Sequence, residues 1–100
     1  MRHFFIEIIY KAELEEVARV RPLHREFLKK GYENGMLLMS GPQVPRIGGF
    51  AIARGETMEK VAEFFKDDPY QKEGVAKYEF MEINPVHHQD FMKEWLGDIG

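Results

Sequence analysis

The stretch from residue 3 to residue 10 constrains the fold most, because both of its faces need to be covered. Its even positions, Phe4, Ile6, Ile8 and Tyr10, are all apolar or aromatic, and its odd positions include Phe5 and Ile9. Alternation with a period of two predicts a β-strand. One dry face predicts a helix layer on that side. The half-apolar second face predicts contact with a second subunit.

The rest of the chain predicts a helix, two strands, a helix, a strand and a final helix. The predicted bounds are helical residues 13–34, strand 36–40, loop 43–47, strand 48–54, a helix that begins after Thr57, and strand 77–83. The compact arrangement of these elements is an α+β fold of the ferredoxin-like βαββαβ type. It is a four-stranded antiparallel sheet with two helices on one face. We expect one domain over residues 1–100, with a core of about 3–85.

Two helix boundaries carry particular predictions. Pro22 lacks an N–H and disfavours helical backbone before it, which predicts a break or kink near Val20 and Arg21. Asn34-Gly35 predicts the end of the same helix. After Asn84-Pro85 we expect a C-terminal helical extension over about 86–97, whose apolar stripe would be Phe91, Met92, Trp95 and Leu96.

Composition excludes several classes of function. The chain has 100 residues, a net charge of −3 and interspersed bases, which argues against a nucleic-acid-binding face. It has no cysteine, so a thiolate nucleophile, a disulfide and a cysteine metal site are excluded. The apolar N-terminus is too short for a signal peptide and is interrupted by Glu7, and no run is long enough for a membrane span. We therefore expect a cytoplasmic protein with no membrane or nucleic-acid partner.

His24 is the candidate for chemistry, because it lies in the apolar stripe of the first helix with Val20, Phe27, Leu28 and Gly31. One interpretation is a buried histidine that is hydrogen-bonded to a neighbour. The other is a histidine that moves protons in a pocket. His87 and His88 are adjacent on a predicted helix and point about 100° apart, so we predict no metal site there.

Asp68 is the candidate partner for His24. It precedes Pro69 at a helix end, and both helices are predicted to lie on the same face of the sheet. A carboxylate that holds one ring nitrogen fixes the tautomer and makes the other nitrogen a better base. The alternative is that Asp68 only caps a turn.

An ordered set of short motifs resembles a known family. The motifs are Arg21-Pro22-x-His24, Gly35-x-Leu37-Leu38-x-Ser40-Gly41-Pro42, Gly48-Gly49, Asp68-Pro69-Tyr70-x-x-x-Gly74-Val75 and the last strand, which ends before Pro85. They are similar to those of the YciI-like (YCII-related) family of the dimeric α+β barrel superfamily. The resemblance implies that two ferredoxin-like sheets pack face to face in a homodimer. It also implies a His–Asp pair, at His24 and Asp68, in a pocket.

These observations lead to two functional hypotheses, beside which a purely structural dimer with a vestigial pocket is a third possibility. The first is a cofactor-independent enzyme that performs elimination or isomerisation on a small cyclic or aromatic compound, as the resemblance to dehydrochlorinases and muconolactone isomerases implies. Arg21 would bind a substrate anion, and Ser40 and Tyr70 would donate hydrogen bonds to the substrate. Arg21 as a surface charge and Tyr70 as a packing residue are the alternatives for these positions. The second hypothesis is a non-catalytic small-molecule-binding or interaction module.

Overall fold

The computed structural model describes residues 1–97. Its elements are β1 (Arg2–Tyr10), α1 (Leu14–Glu33), β2 (Leu37–Pro42), β3 (Gly48–Gly55), α2 (Met58–Phe65), α3 (Pro69–Lys72), β4 (Ala76–Ile83), a 3₁₀ turn (Asp90–Met92) and α4 (Lys93–Leu96). The strands form one antiparallel sheet in the order β2-β3-β1-β4. The predicted ferredoxin-like α+β arrangement is therefore confirmed.

The core lies between the sheet and the helices α1 and α2. Phe4 and Ile6 of β1 are fully buried there, together with Val20 of α1 and Val61 and Phe65 of α2. Each apolar side chain of this size stabilises the fold by about 1.5–3 kcal/mol when it is fully buried. Because β1 is a central strand, its even-numbered side chains anchor the helix layer along most of its length.

Of the break or kink predicted near Val20 and Arg21, the break is wrong, since α1 runs through Pro22 as one helix of 20 residues. The kink stays a prediction. Pro22 is exposed, whereas Val20 and His24 on either side of it are buried against the sheet. A proline inside a helix costs about 3 kcal/mol. Packing of the buried face offsets that cost, so the tertiary contacts override the local preference. The predicted end at Asn34-Gly35 is confirmed, with φ of Gly35 at +81°.

Strand β2 is longer than predicted and ends at Pro42 rather than at Ser40. Pro42 pairs with Gly49 of β3, and β2 lies at the edge of the sheet. A proline is tolerated on an edge strand because its missing N–H faces away from the neighbouring strand. The extra residues matter for the site, because Gly41 and Pro42 pair with Phe50 and Gly49 near the start of β3.

The helical part of the C-terminal extension is shorter than predicted. Residues 84–89 are not helical, and helical backbone starts only with the 3₁₀ turn at Asp90. Short helices are marginal without tertiary packing. Here the packing involves only the last residues, because Leu96 is buried while Phe91 is 83% exposed. The predicted apolar stripe is therefore wrong for Phe91.

The C-terminal segment docks at the end of the sheet where β1 begins. The Trp95 indole N–H donates to the carbonyl of Gly35, at 3.2 Å, and its ring lies 5.5 Å from the ring of His3. Arg54 donates to the carbonyl oxygens of both Gly35 and Trp95. These contacts fix the segment far along β1 from Ile8 and Tyr10, at the other end of that strand.

The face of the sheet without α1 and α2 carries apolar side chains. They include Phe5 and Phe50, whose rings stack 6.5 Å apart, and Met39 and Met81, which are 48% and 61% exposed. Strand register places Phe5 opposite both Ile52 and Met81, so these side chains share one face. The half-apolar second face predicted from β1 is thus continued by its neighbours.

Candidate active site

The position of His24 in α1 places its imidazole between the helix and the sheet. The residue is only 7% exposed, and its Nδ1 atom lies 2.9 Å from each carboxylate oxygen of Asp68. The contact between the two predicted residues is therefore present, although 44 positions separate them along the chain. A buried charged group is costly unless it is paired and hydrogen-bonded, and this pair meets that condition.

Asp68 is anchored from two further directions. It is the N-cap of α3, where its Oδ1 atom accepts a hydrogen bond from the backbone N–H of Tyr70 at 3.0 Å. Its Oδ2 atom accepts a short hydrogen bond from the hydroxyl of Tyr78. The capping role and the pairing role that the sequence left as alternatives are thus both present. With His24, three groups surround a carboxylate that is fully buried.

The hydrogen-bond pattern assigns the tautomer of His24. A carboxylate only accepts hydrogen bonds, so Nδ1, which faces both oxygens, carries a proton. Nε2 accepts no hydrogen bond from the described residues, and His24 lines a cavity. Nε2 is therefore the ring nitrogen that is available to a molecule in that cavity.

Tyr78 is a site residue that the sequence interpretation missed. Burial, and then the negative charge of Asp68, raise the pKa of Tyr78 well above its ordinary value. The phenol therefore stays protonated and remains a donor to Asp68. One signal was available, because Tyr78 shares the core-facing side of its strand with Phe80, and a buried tyrosine needs a partner for its hydroxyl.

Tyr70 packs flat on His24. The two rings are 3.8 Å apart with an angle of 4° between their planes, and the ring of Tyr10 meets Tyr70 edge-on. The Tyr70 hydroxyl accepts a hydrogen bond from Nε of Arg21 at 3.3 Å. Burial raises the pKa of Tyr70 above its ordinary value, so this hydroxyl is neutral near pH 7. Stacking on one side and Asp68 on one edge fix the plane of the imidazole.

The cavity beside His24 has a volume of about 280 Å³. It lies at the end of the sheet where β1 and β2 finish, with apolar walls from Ile8, Leu28 and Phe50. An apolar cavity of about 150 Å³ holds a benzene molecule, and ligand pockets span about 300–1,000 Å³. The size therefore suits one substituted ring.

The three predicted substrate contacts, Arg21, Ser40 and Tyr70, all line this cavity. Ser40 is already engaged, because its Oγ lies 2.5 Å from the hydroxyl of Tyr32. A hydroxyl has one donor and two acceptor positions, so Ser40 keeps some capacity for a ligand. The C-terminal extension docks at the other end of β1 and does not line the cavity.

The other histidines lie away from the cavity. His3 is buried beside Trp95, and His87 and His88 are exposed. Within residues 1–97, no three His, Cys, Asp or Glu side chains are grouped to hold a metal ion. No helix in that part of the chain is long and apolar enough to cross a membrane.

Comparison with known proteins identifies the family. Residues 1–84 match the YCII-related domain, so the chain belongs to this family, and the resemblance inferred from the motifs is confirmed. The search of curated proteins found no match. The fold is similar to that of 5-chloro-2-hydroxyhydroquinone dehydrochlorinase from Burkholderia phenoliruptrix AC1100, solved in complex with 2,5-dihydroxybenzoquinone. The two share 19% identity with a TM-score of 0.68, over 79% of this chain and 90% of the other.

Proposed function

We propose that the protein is an enzyme in which His24 is the general acid/base and Asp68 orients it. The observation that carries this proposal is the position of Nδ1, 2.9 Å from both oxygens of a buried carboxylate, in a histidine that lines a cavity. With the Nδ1 proton held by Asp68, Nε2 accepts a proton from a bound substrate. The carboxylate then stabilises the imidazolium that forms.

The proposed reactions are elimination and isomerisation. In an elimination, Nε2 takes a proton from a C–H or O–H bond, the bonding electron pair moves into the ring system, and a leaving group departs with its own electron pair. In an isomerisation, the same nitrogen returns the proton to another carbon. Neither reaction has a net redox change, so neither needs a redox cofactor. A positioned acid/base contributes about 10²–10⁴-fold to such a rate.

The substrate class follows from the size and walls of the cavity. About 280 Å³ between Phe50, Tyr70 and the aliphatic side chains suits a single cyclic or aromatic ring. The dehydrochlorinase of similar fold is named for a chlorinated single-ring compound, which agrees with this size. In the proposed complex, the free guanidinium N–H groups of Arg21 and the Ser40 hydroxyl bind polar substituents, and Tyr70 keeps the His24 ring in place.

The proposed quaternary structure is a homodimer in which two sheets pack through the faces that α1 and α2 leave open. Support comes from the partly exposed Phe5, Met39, Phe50 and Met81 on that face. Apolar side chains that share one exposed face are typical of subunit contacts.

Proton exchange in D₂O tests the proposed function. We would incubate the protein with single-ring hydroquinones, chlorinated phenols and unsaturated lactones, and follow loss of C–H signals and product formation by NMR. For any of these compounds that reacts with the wild type, we expect His24→Ala to lower the rate of proton exchange and turnover by about 10²–10⁴-fold, because the proton acceptor is removed. The control is His87→Ala, which makes the same change at an exposed histidine.

Two outcomes contradict the proposal. A His24→Ala rate equal to that of the wild type would show that another group moves the proton. Ring compounds that bind to the cavity without exchange or turnover would favour the non-catalytic binding module.

A further inference from the structure

The cavity beside His24 has an unusual charge for this chain. The protein has 17 acidic and 14 basic residues, yet Arg21, Arg25 and Arg46 all line this one cavity. Within the described residues, no aspartate or glutamate lines it. Asp68 lies behind His24, is fully buried, and is already bonded to three groups. The positive charge on the cavity wall is therefore not balanced by a neighbouring carboxylate.

The arginines outside the cavity are all engaged. Arg2 pairs with Glu82, and Arg19 pairs with Glu16 and Glu73. Arg54 donates to two backbone carbonyl groups, and its guanidinium lies 5.1 Å from the Trp95 ring. Carboxylates and carbonyl groups that can pair with arginines are therefore present in the chain, and they are used outside the cavity.

The cavity arginines differ from these three. Among residues 1–97, Arg21, Arg25 and Arg46 form no ion pair, and Arg21 interacts with the hydroxyls of Tyr70 and Tyr10 rather than with a carboxylate. Arg21 and Arg25 lie on successive turns of α1, four residues apart, and Arg46 comes from the loop between β2 and β3. Elements that are distant in sequence thus direct positive charge to one cavity.

From this arrangement we infer that Arg25 and Arg46, with Arg21, form an anion subsite, and that the substrate of the proposed enzyme is a single-ring carboxylic acid. The inference rests on the proposed function and adds the charge of the substrate. A guanidinium group binds a carboxylate through two parallel hydrogen bonds. The apolar walls hold the ring beside Nε2 of His24, and the carboxylate lies against the arginines.

A carboxylate fits this subsite better than a phenol does. A carboxylic acid has a pKa near 4 and is charged at pH 7, whereas a phenol with a pKa near 10 is neutral and gains less from the arginines. Three guanidinium groups also favour two negative charges over one. Phthalate should therefore bind more tightly than benzoate, and benzoate more tightly than neutral benzamide.

Calorimetric titration with these three compounds tests the subsite. We expect Arg25→Gln and Arg46→Gln each to weaken phthalate binding roughly tenfold, because each loses a charge-assisted pair of hydrogen bonds. Arg19→Gln is the matched control, because it makes the same change in charge on the same helix outside the cavity. Benzamide binding should be equal in all four proteins.

The inference is overturned if benzamide binds the wild type as tightly as phthalate, if phthalate does not bind, or if Arg19→Gln weakens phthalate binding as much as the two cavity variants. Failure of the proposed function gives a different result. Phthalate would then still bind through Arg25 and Arg46, but no compound would exchange protons through His24. Conversely, proton exchange by neutral ring compounds, together with a failure of carboxylates to bind, would support the acid/base function and contradict the anion subsite.

Discussion

Asp68→Asn should shift part of the His24 population from the tautomer protonated on Nδ1 to the tautomer protonated on Nε2. The amide must place its NH₂ group where one carboxylate oxygen was. The Oδ1 position faces the backbone N–H of Tyr70, which can only donate. The NH₂ group therefore takes the Oδ2 position, where the hydroxyl of Tyr78 can rotate and accept. Nδ1 of His24, which faced two acceptor oxygens, then faces one acceptor at the Oδ1 position and one donor at the Oδ2 position, so the tautomer protonated on Nε2 becomes populated.

The magnitude follows from the three hydrogen bonds that Asp68 accepts. A bond to a charged group contributes about 1.5–3 kcal/mol and a neutral one about 0.5–1.5 kcal/mol, so each bond loses about 1 kcal/mol in the variant. Relief of the cost of burying the carboxylate offsets part of this loss. We expect the free energy of unfolding to fall by about 2 kcal/mol. The rate of the proposed reaction should also fall, because the tautomer protonated on Nε2 cannot accept a substrate proton and the neutral amide does not stabilise the imidazolium.

Long-range ¹H–¹⁵N correlation spectra of labelled histidine report the tautomer directly, and urea unfolding reports the stability. Asp67→Asn is the matched control, because it changes the neighbouring aspartate, whose side chain is 75% exposed. We expect that variant to keep the wild-type tautomer and stability. A His24 ring that stays protonated on Nδ1 in Asp68→Asn would refute the argument, since the carboxylate would then not determine the tautomer.

Three further results are expected. Tyr78→Phe should lower the free energy of unfolding by about 1.5–3 kcal/mol in urea, because Asp68 loses one donor; an unchanged midpoint would show that the bond contributes nothing. Burial, the nearby N-terminal charge and Arg54 lower the pKa of His3 from 6.5, so the unfolded chain binds a proton there before the folded one does. The free energy of unfolding should therefore fall as the pH drops below about 6.5, by at most about 1.4 kcal/mol per pH unit from this group. His3→Leu should remove that part of the pH dependence, and an equal pH dependence in the wild type and the variant would contradict the prediction. Light scattering should give twice the mass of one chain for the wild type and a smaller mass for Met81→Asp, and a monomeric wild type would end the face-to-face proposal.

Local periodicity was enough to predict the fold. The alternation in β1 and the helical stripe through Val20, Phe27 and Leu28 each encode which side of an element is buried. Few compact arrangements of such helices and strands exist, and these restrict the order of the strands in the sheet. Predictions failed where distant contacts decide the outcome. Helix α1 continues through Pro22 because its other face is packed. The last helix is confined to the residues around Trp95, whose side chain contacts Gly35 and His3.

In the candidate site, too, residues with a local sequence signal were predicted and residues placed by distant contacts were not. His24 and Asp68 were found because each is unusual in its own local context, a histidine in an apolar stripe and an aspartate before a proline. Tyr78, Arg25 and Arg46 were missed. Each looks ordinary along the chain. The register of β4 brings Tyr78 to the candidate site and the path of the β2–β3 loop brings Arg46 there, whereas Arg25 follows His24 on α1.

The double attachment of Asp68 has a consequence for comparing relatives. This aspartate caps α3 and pairs with His24, so its loss would damage the turn even in a chain that performs no chemistry. Selection for folding alone would then preserve it after activity had disappeared. Within the described residues, Arg25 and Arg46 form no ion pair and no side-chain hydrogen bond that would preserve them for folding alone. The proposed anion subsite therefore predicts that, among members of this family, the presence of Arg25 and Arg46 is a better guide to the proposed activity than the presence of Asp68.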